Sequence, residues 1–341
     1  MPGTVRFNGQ DAIPGQKSFH WLKVTTRLDG SDLNIPIHVV SGTQDGPVLG
    51  LFSTLHGGEW LSIEMLRRVT EALDPTSMAG TVIVVPVANP AAFGQLTRMT
   101  PDESDAPDLN RVFPGDYTWT STLLARKITD EILPQTDALM DFHLGLWGAS
   151  FGTIVYGRDF TDPAVSERSL SMARAFGHPY IEREQLVSRF PGPGSMLGYA
   201  GEVMGIPSVI SEIGGAGFSP GLEESWIETN VSGMFGVMQE LGIVEGPAPC
   251  LDRYLMIEKT HRVNPSVGGY LHPELSEDRL MSEVHEGDLL GRVISPHTFE
   301  ELERLTAPAD GRLYLISRPY PVNPGDWAFG VVDNAYATWE S

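Results

Sequence analysis

Four short stretches of this chain put titratable residues where apolar segments end. "STLHGGEWLS" (53–62) holds His56 and Glu59 three apart, between the apolar run "PVLGLFSTL" and "LSIEMLRRVTEAL", which has helical periodicity. "DLNRVFPG" (108–115) carries Arg111, His143 lies near the end of "ALMDFHLG", and Glu212 near the end of "SVISEIGG". A polar group at a buried strand end is unfavourable unless it has a partner, and a metal ion supplies one. Two His and one Glu around an open position form a ligand set of hydrolytic zinc. His56 and Glu59, with the distant His143, are therefore the candidate ligands. The order His-x-x-Glu is not the H-E-x-x-H of helix-borne zinc proteases. Hydrolysis also needs a base for the attacking water and a cation for the oxyanion. Glu212 is the candidate base and Arg98 and Arg111 the candidate cations, since the arginine fork matches a carboxylate.

Each signal taken singly has an ordinary reading. His56 and Glu59 could be a surface pair at a helix start, His143 a core histidine, Glu212 a turn residue before Gly214 and Gly215, and Arg111 a structural partner of Asp108. It is the joint occurrence that favours a metal site. Asp141, two residues before His143, shares its strand face and could orient it. Trp147 could line an acyl pocket. The histidines at 20, 38, 178, 261, 272, 285 and 297 have no partner at ligand spacing, and the glycine-rich stretches fit neither a dinucleotide nor a P-loop fingerprint.

These residues need strands and helices to position them. The runs "NIPIHVV", "VLGLFSTL", "TVIVVPVA", "ALMDFHLG", "TIVYG" and "PSVISEIG" read as strands. The stretches "SIEMLRRVTEAL", "TSTLLARKITDEIL", "AVSERSLSMARAFG" and "WIETNVSGMFGVMQELG" read as helices. Their alternation predicts an α/β layer with a mixed sheet flanked by helices over residues 1–245, the catalytic unit. Beyond "EGPAPC" turns become frequent, so residues 246–341 are expected to form a smaller all-β domain. Only "HTFEELERL" there keeps a helical period. The tail's two related halves resemble the barrel-sandwich fold of biotinyl and lipoyl carrier domains, but lack the Met-Lys pair of a carrier, so a structural or lid role is expected.

A formal charge of −21 disfavours nucleic acid as a partner. No apolar run reaches the length of a membrane span. A lone cysteine, Cys250, and the lack of a secretory pattern at the N-terminus point to the cytoplasm. A homodimer is the default assembly.

In order, H-G-x-E, "NPAAF" (89–93), D-L-N-R-x-F-P-G, D-F-H-x-G and S-E-I-G-G resemble the succinylglutamate desuccinylase and aspartoacylase family, relatives of the zinc carboxypeptidases, over roughly residues 45–240. The resemblance implies a zinc-carboxypeptidase-like fold and one Zn²⁺ on His56, Glu59 and His143. It further implies Glu212 as general base and proton shuttle, Asn110 and Arg111 on a substrate carboxylate, and Arg98 polarising the scissile carbonyl. The substrate implied is a small N-acyl amino acid that loses an acetyl or succinyl group. The segment "RMTPDESDAPDLNR" is more similar to members that deacetylate N-acetyl-diaminobutyrate. Two other readings are a carboxypeptidase-like zinc peptidase and a non-catalytic zinc-binding protein.

Overall fold

The computed structural model describes residues 5–101, 107–145, 149–157, 160–184 and 194–341. After a small hairpin of β1 (Arg6–Phe7) and β2 (Gln10–Asp11), the chain runs β3 (Gln16–Thr26), β4 (Asp32–Ser41), β5 (Gln44–Ser53), α1 (Leu61–Ala72), β6 (Ala79–Val85), α2 (Pro90–Phe93) and α3 (Thr120–Glu131). It continues β7 (Ala138–Gly145), β8 (Ala149–Gly157), α4 (Pro163–Ala175), β9 (Tyr180–Glu184), α5 (Met196–Glu202), β10 (Ser208–Gly215) and α6 (Pro220–Glu240). The centre of the sheet is parallel, in the order β10, β7, β5, β6, and both flanks are antiparallel, with β8 on β10 and β4 then β3 on β6.

Helices cover both faces. Leu61, Met65 and Leu66 of α1, Met172 of α4 and Met234 and Val237 of α6 pack on Leu49, Leu51, Met140 and Val209. Leu124, Ala125 and Ile128 of α3, with Met196 and Ala200 of α5, pack on Phe52, Ile83 and Leu139. This double cover explains why β7 is buried at every position and reads as one apolar run. Asp141 and His143, the polar residues within it, are buried with everything else.

The remaining strands are β11 (Tyr254–Ile257), β12 (Thr260–Val263), β13 (Gly269–Pro273), β14 (Glu283–Val284), β15 (Leu289–Ile294), β16 (Glu301–Thr306), β17 (Gly311–Ser317), β18 (Tyr320–Val322), β19 (Phe329–Asp333) and β20 (Ala337–Glu340). β13, β15, β16 and β18 form an antiparallel sheet. It packs through Leu271, Val293 and Leu305 on Leu313, Ile316, Phe329 and Val331 of β17 and β19. The fold is thus mixed α/β with an antiparallel β region at its C-terminal end.

Two features differ from the sequence reading. "HTFEELERL" is not helical: Glu301–Thr306 is a strand against β15, with Leu305 inward and Arg292 pairing across to Glu301 at 3.0 Å. Too few apolar positions fall in that stretch for period alone to separate the two structures. Moreover, the C-terminal strands join the large sheet, because β17 pairs with β8 and β11 pairs with β9. β8 is where the sheet forks: Ala149–Phe151 pairs with β17, whereas 154–157 pairs with β9. Among the described residues no helix is long and apolar enough to cross a membrane.

Candidate active site

The turn that carries His56 is bent and pinned by its surroundings. Thr54 has a φ of 53°, a left-handed conformation that a β-branched residue adopts only when its environment holds it there. Its hydroxyl donates to the Pro86 carbonyl at 2.9 Å, and its own carbonyl accepts from the Asn89 backbone N–H. The side chain of Asn89, fully buried, caps α2 through the Ala92 N–H and donates to the carbonyl of Leu55 and to Thr100 Oγ1. "NPAAF" therefore acts as a clamp on the His56 turn. Gly57 lies flat on this clamp: a Cβ there would sit 2.1 Å from the Ala92 backbone. Gly57→Ala is expected to destabilise the fold by about 2 kcal/mol and to loosen the His56 turn, read as a lower Tm together with weaker metal retention.

His56 Nδ1 lies 2.8 Å from Glu59 Oε1, and His143 Nδ1 lies 3.0 Å from Glu59 Oε2. One potential ligand atom from each of the three residues lies within 4.8 Å of the others, and all three residues are buried. The other ring nitrogens face outward from this cluster to carboxylates: His56 Nε2 contacts Asp108 Oδ1 at 2.9 Å and His143 Nε2 contacts Asp141 Oδ2 at 2.9 Å. A carboxylate behind each imidazole fixes its orientation and raises its basicity, as around metal ions.

Charge balance supports the same reading. Burial pushes the Glu59 carboxyl up, yet the imidazoles of His56 and His143 bring it down to about 2. Burial lowers the His143 imidazole, yet Asp141 and Glu59 raise it well above its ordinary value. Burial likewise raises Asp108, but His56, Arg98 and Arg111 hold it well below the usual carboxylate range. The cluster thus has carboxylates that demand positive charge at its centre, which protons on imidazole supply when no ion is bound. Glu59 Oε2 is buried and, although His143 Nδ1 is 3.0 Å away, accepts no hydrogen bond of good geometry among the described residues. A divalent cation fits this donor set, satisfying that oxygen and replacing the protons.

The predicted residues do come together here. Arg98 binds Asp108 Oδ2 at 2.9 Å and reaches to 3.5 Å from His56 Nδ1. Asn110 is buried, its Oδ1 accepting from the Met196 N–H at 2.9 Å while its Nδ2 lies 3.3 Å from His143 Nε2. Arg111 is half-buried and donates to the Asn110 carbonyl. Glu212 on β10 stands in register with His143 on β7, so the two side chains share a face at the carboxyl ends of the parallel strands. Burial raises its pKa, which His143 lowers and Glu59 raises again. Asp141 takes the orienting position behind His143. Trp147 and most of the acidic segment after Arg98 lie outside the described residues. Sequence reasoning missed the contact of Asp108 with His56 and the clamp built on Asn89, although both residues lie in motifs that it singled out.

The model of the succinylglutamate desuccinylase/aspartoacylase catalytic domain matches residues 45–241. The chain belongs to this family. Its reaction class follows: hydrolysis of the amide bond of an N-acyl amino acid. Among curated family relatives, an N-alpha-acetyl-L-2,4-diaminobutyric acid deacetylase of Halomonas elongata is 28% identical over 305 residues, covering 86% of this chain and 83% of the relative. The product-bound ectoine utilization protein EutE (DoeB) of Ruegeria pomeroyi superposes with a TM-score of 0.80 at 24% identity, covering 94% of this chain and 98% of the other. A succinylglutamate desuccinylase of Silicibacter sp. superposes with a TM-score of 0.78 at 25% identity, over 93% and 95% of the two chains. The family members share this mixed sheet with its C-terminal β region.

Proposed function

We propose that the protein is a zinc-dependent deacetylase of N-acetyl amino acids, with the N-alpha-acetyl-2,4-diaminobutyrate type as substrate. What carries the reading is the convergence of His56, Glu59 and His143, each imidazole backed by a carboxylate, beside the carboxyl of Glu212. The name of the Halomonas relative supports acetyl over succinyl. The lone Cys250, free and exposed, fits a cytoplasmic setting.

His56 and His143, through Nδ1, and Glu59, through its carboxylate, would hold the zinc, which when bound polarises a carbonyl and makes water more acidic. Glu212, with a carboxyl raised by burial, takes the proton from the attacking water and returns it to the leaving amine. Arg98 stabilises the negative charge that develops on the scissile oxygen, its guanidinium aimed at the cluster by Asp108. Arg111 receives the substrate carboxylate, and Asn110 holds Arg111 in place through its carbonyl. Residues 246–341 serve as a wall of the pocket, joined to the catalytic sheet at β8.

Asp108→Asn removes the acceptor behind His56 and the anchor of Arg98 at once. Zinc affinity is expected to fall about 10- to 100-fold, measured by competition with a chromophoric chelator. The function itself is tested by presenting N-acetyl, N-succinyl and N-formyl amino acids together with dipeptides to the zinc-loaded protein. Turnover concentrated on N-acetyl amino acids supports the reading. Preferential cleavage of dipeptides would replace it with a peptidase, and zinc binding without any turnover would replace it with a binding protein.

A further inference from the structure

The row of side chains that begins at His143 does not stop at Glu212. Register places Thr153 of β8 directly beside Glu212, and Glu182 of β9 continues on the same face, with Thr153 Oγ1 donating to Glu182 Oε2 at 3.5 Å. This is the point where the sheet forks, β8 dividing its pairing between β17 and β9. Tyr314 of β17 and Arg262 of β12 lie close enough to Glu182 to feel its charge. Arg262 lies over the rings of Trp327, Phe151 and Tyr314 at 4.3, 5.2 and 5.3 Å.

One group here lacks the partner its chemistry calls for. Glu182 is partly buried and forms no ion pair among the described residues, the nearby Arg262 included, and no step of hydrolysis uses it. Burial pushes its carboxyl up to about 7, with Arg262 pulling it down and Glu212 pushing it up again. Tyr314 is 2% exposed, with Thr260 as the hydrogen-bonding neighbour of its hydroxyl. A carboxylate withdrawn from water with no cation in direct contact is unfavourable unless a ligand completes it. The missing partner is a positive hydrogen-bond donor small enough to enter beside Glu212, and an alkylammonium meets both requirements.

We propose that Glu182 is the specificity-determining residue of this site, reading a free ammonium on the side chain of the N-acyl amino acid. This rests on the deacetylase reading above and adds the residue that selects the substrate class. Glu212 then acts at the amide and Glu182 at the far end of the same substrate, a division of labour that two neighbouring carboxylates of like environment would otherwise not need.

The test compares N-alpha-acetyl-2,4-diaminobutyrate with N-acetyl-2-aminobutyrate, which lacks the terminal amine, on wild-type and Glu182→Gln zinc-loaded protein. The wild type is expected to favour the ammonium substrate at least about tenfold in kcat/KM, mostly through KM, and Glu182→Gln to bring that ratio close to one. Calorimetric binding of free 2,4-diaminobutyrate, compared with 2-aminobutyrate, provides the same ratio without turnover. Equal kcat/KM for the two substrates in the wild type overturns the proposal while leaving the deacetylase reading intact. A ratio unchanged in Glu182→Gln does so too, as does a loss equal for both substrates. Turnover of neither substrate by the wild type overturns both.

Discussion

His143→Ala protein is expected to hold zinc more than about 100-fold more weakly than the wild type, a larger loss than removal of an orienting residue gives, and to show no measurable amide hydrolysis. His143 supplies one of three ligands, and its Nδ1 is 3.0 Å from Glu59 Oε2, so two donors cannot enclose an ion in its absence. The substitution also strands Asp141, which is fully buried and contacts His143 at 2.9 Å. Breaking a buried charged pair destabilises by about 3 kcal/mol or more, so a lower Tm accompanies the loss of metal. His143→Asn separates the two effects, since its amide can still donate toward Asp141: metal retention is expected to stay low while Tm recovers in part. Metal analysis after dialysis, with thermal unfolding alongside, reads both. Retention of a full equivalent of zinc by either variant would remove His143 from the ligand set.

The second large effect falls on chemistry alone. Glu212→Gln keeps the shape of the side chain and removes its proton-accepting carboxylate, so kcat is expected to fall about 10²- to 10⁴-fold with the zinc content unchanged. The wild-type pH profile carries the matching signature. The active form of a general base is the deprotonated one, so kcat/KM is low below its pKa and rises through it. Burial raises the Glu212 carboxyl above its ordinary 4.5, which places the acid limb above the range of a solvated carboxylate. Glu212→Gln is expected to lose that limb. A variant with full turnover, or an acid limb that persists in it, would assign the base elsewhere.

The site was legible in the sequence where the backbone period itself delivers a residue. His143 and Asp141 lie two apart on a strand, so one face carries both, and Glu212 ends another apolar run whose parallel pairing with β7 brings it alongside. His56 and Glu59 are three apart across a single turn. Other parts depend on pairings that no local pattern encodes. Asp108 reads only as a possible partner of Arg111, whereas in the fold, beside the turn at Leu109–Arg111, it meets His56. Asn89 appears in the sequence only as the first residue of "NPAAF", whereas in the fold it caps α2 and its amide fastens the Leu55 carbonyl. Glu182, Arg262 and Tyr314 belong to three strands far apart in the chain, and they meet only because β8 divides its hydrogen bonds between β9 and β17. For the same reason a textural break near residue 246 gives no hint that the strands beyond it complete the catalytic sheet.

The most direct test of the account is removal and return of the metal. Purified protein is expected to contain about one zinc per chain, to lose turnover of N-alpha-acetyl-2,4-diaminobutyrate when a chelator strips that zinc, and to regain it when one equivalent is restored. Undiminished turnover by protein shown to be metal-free would contradict it.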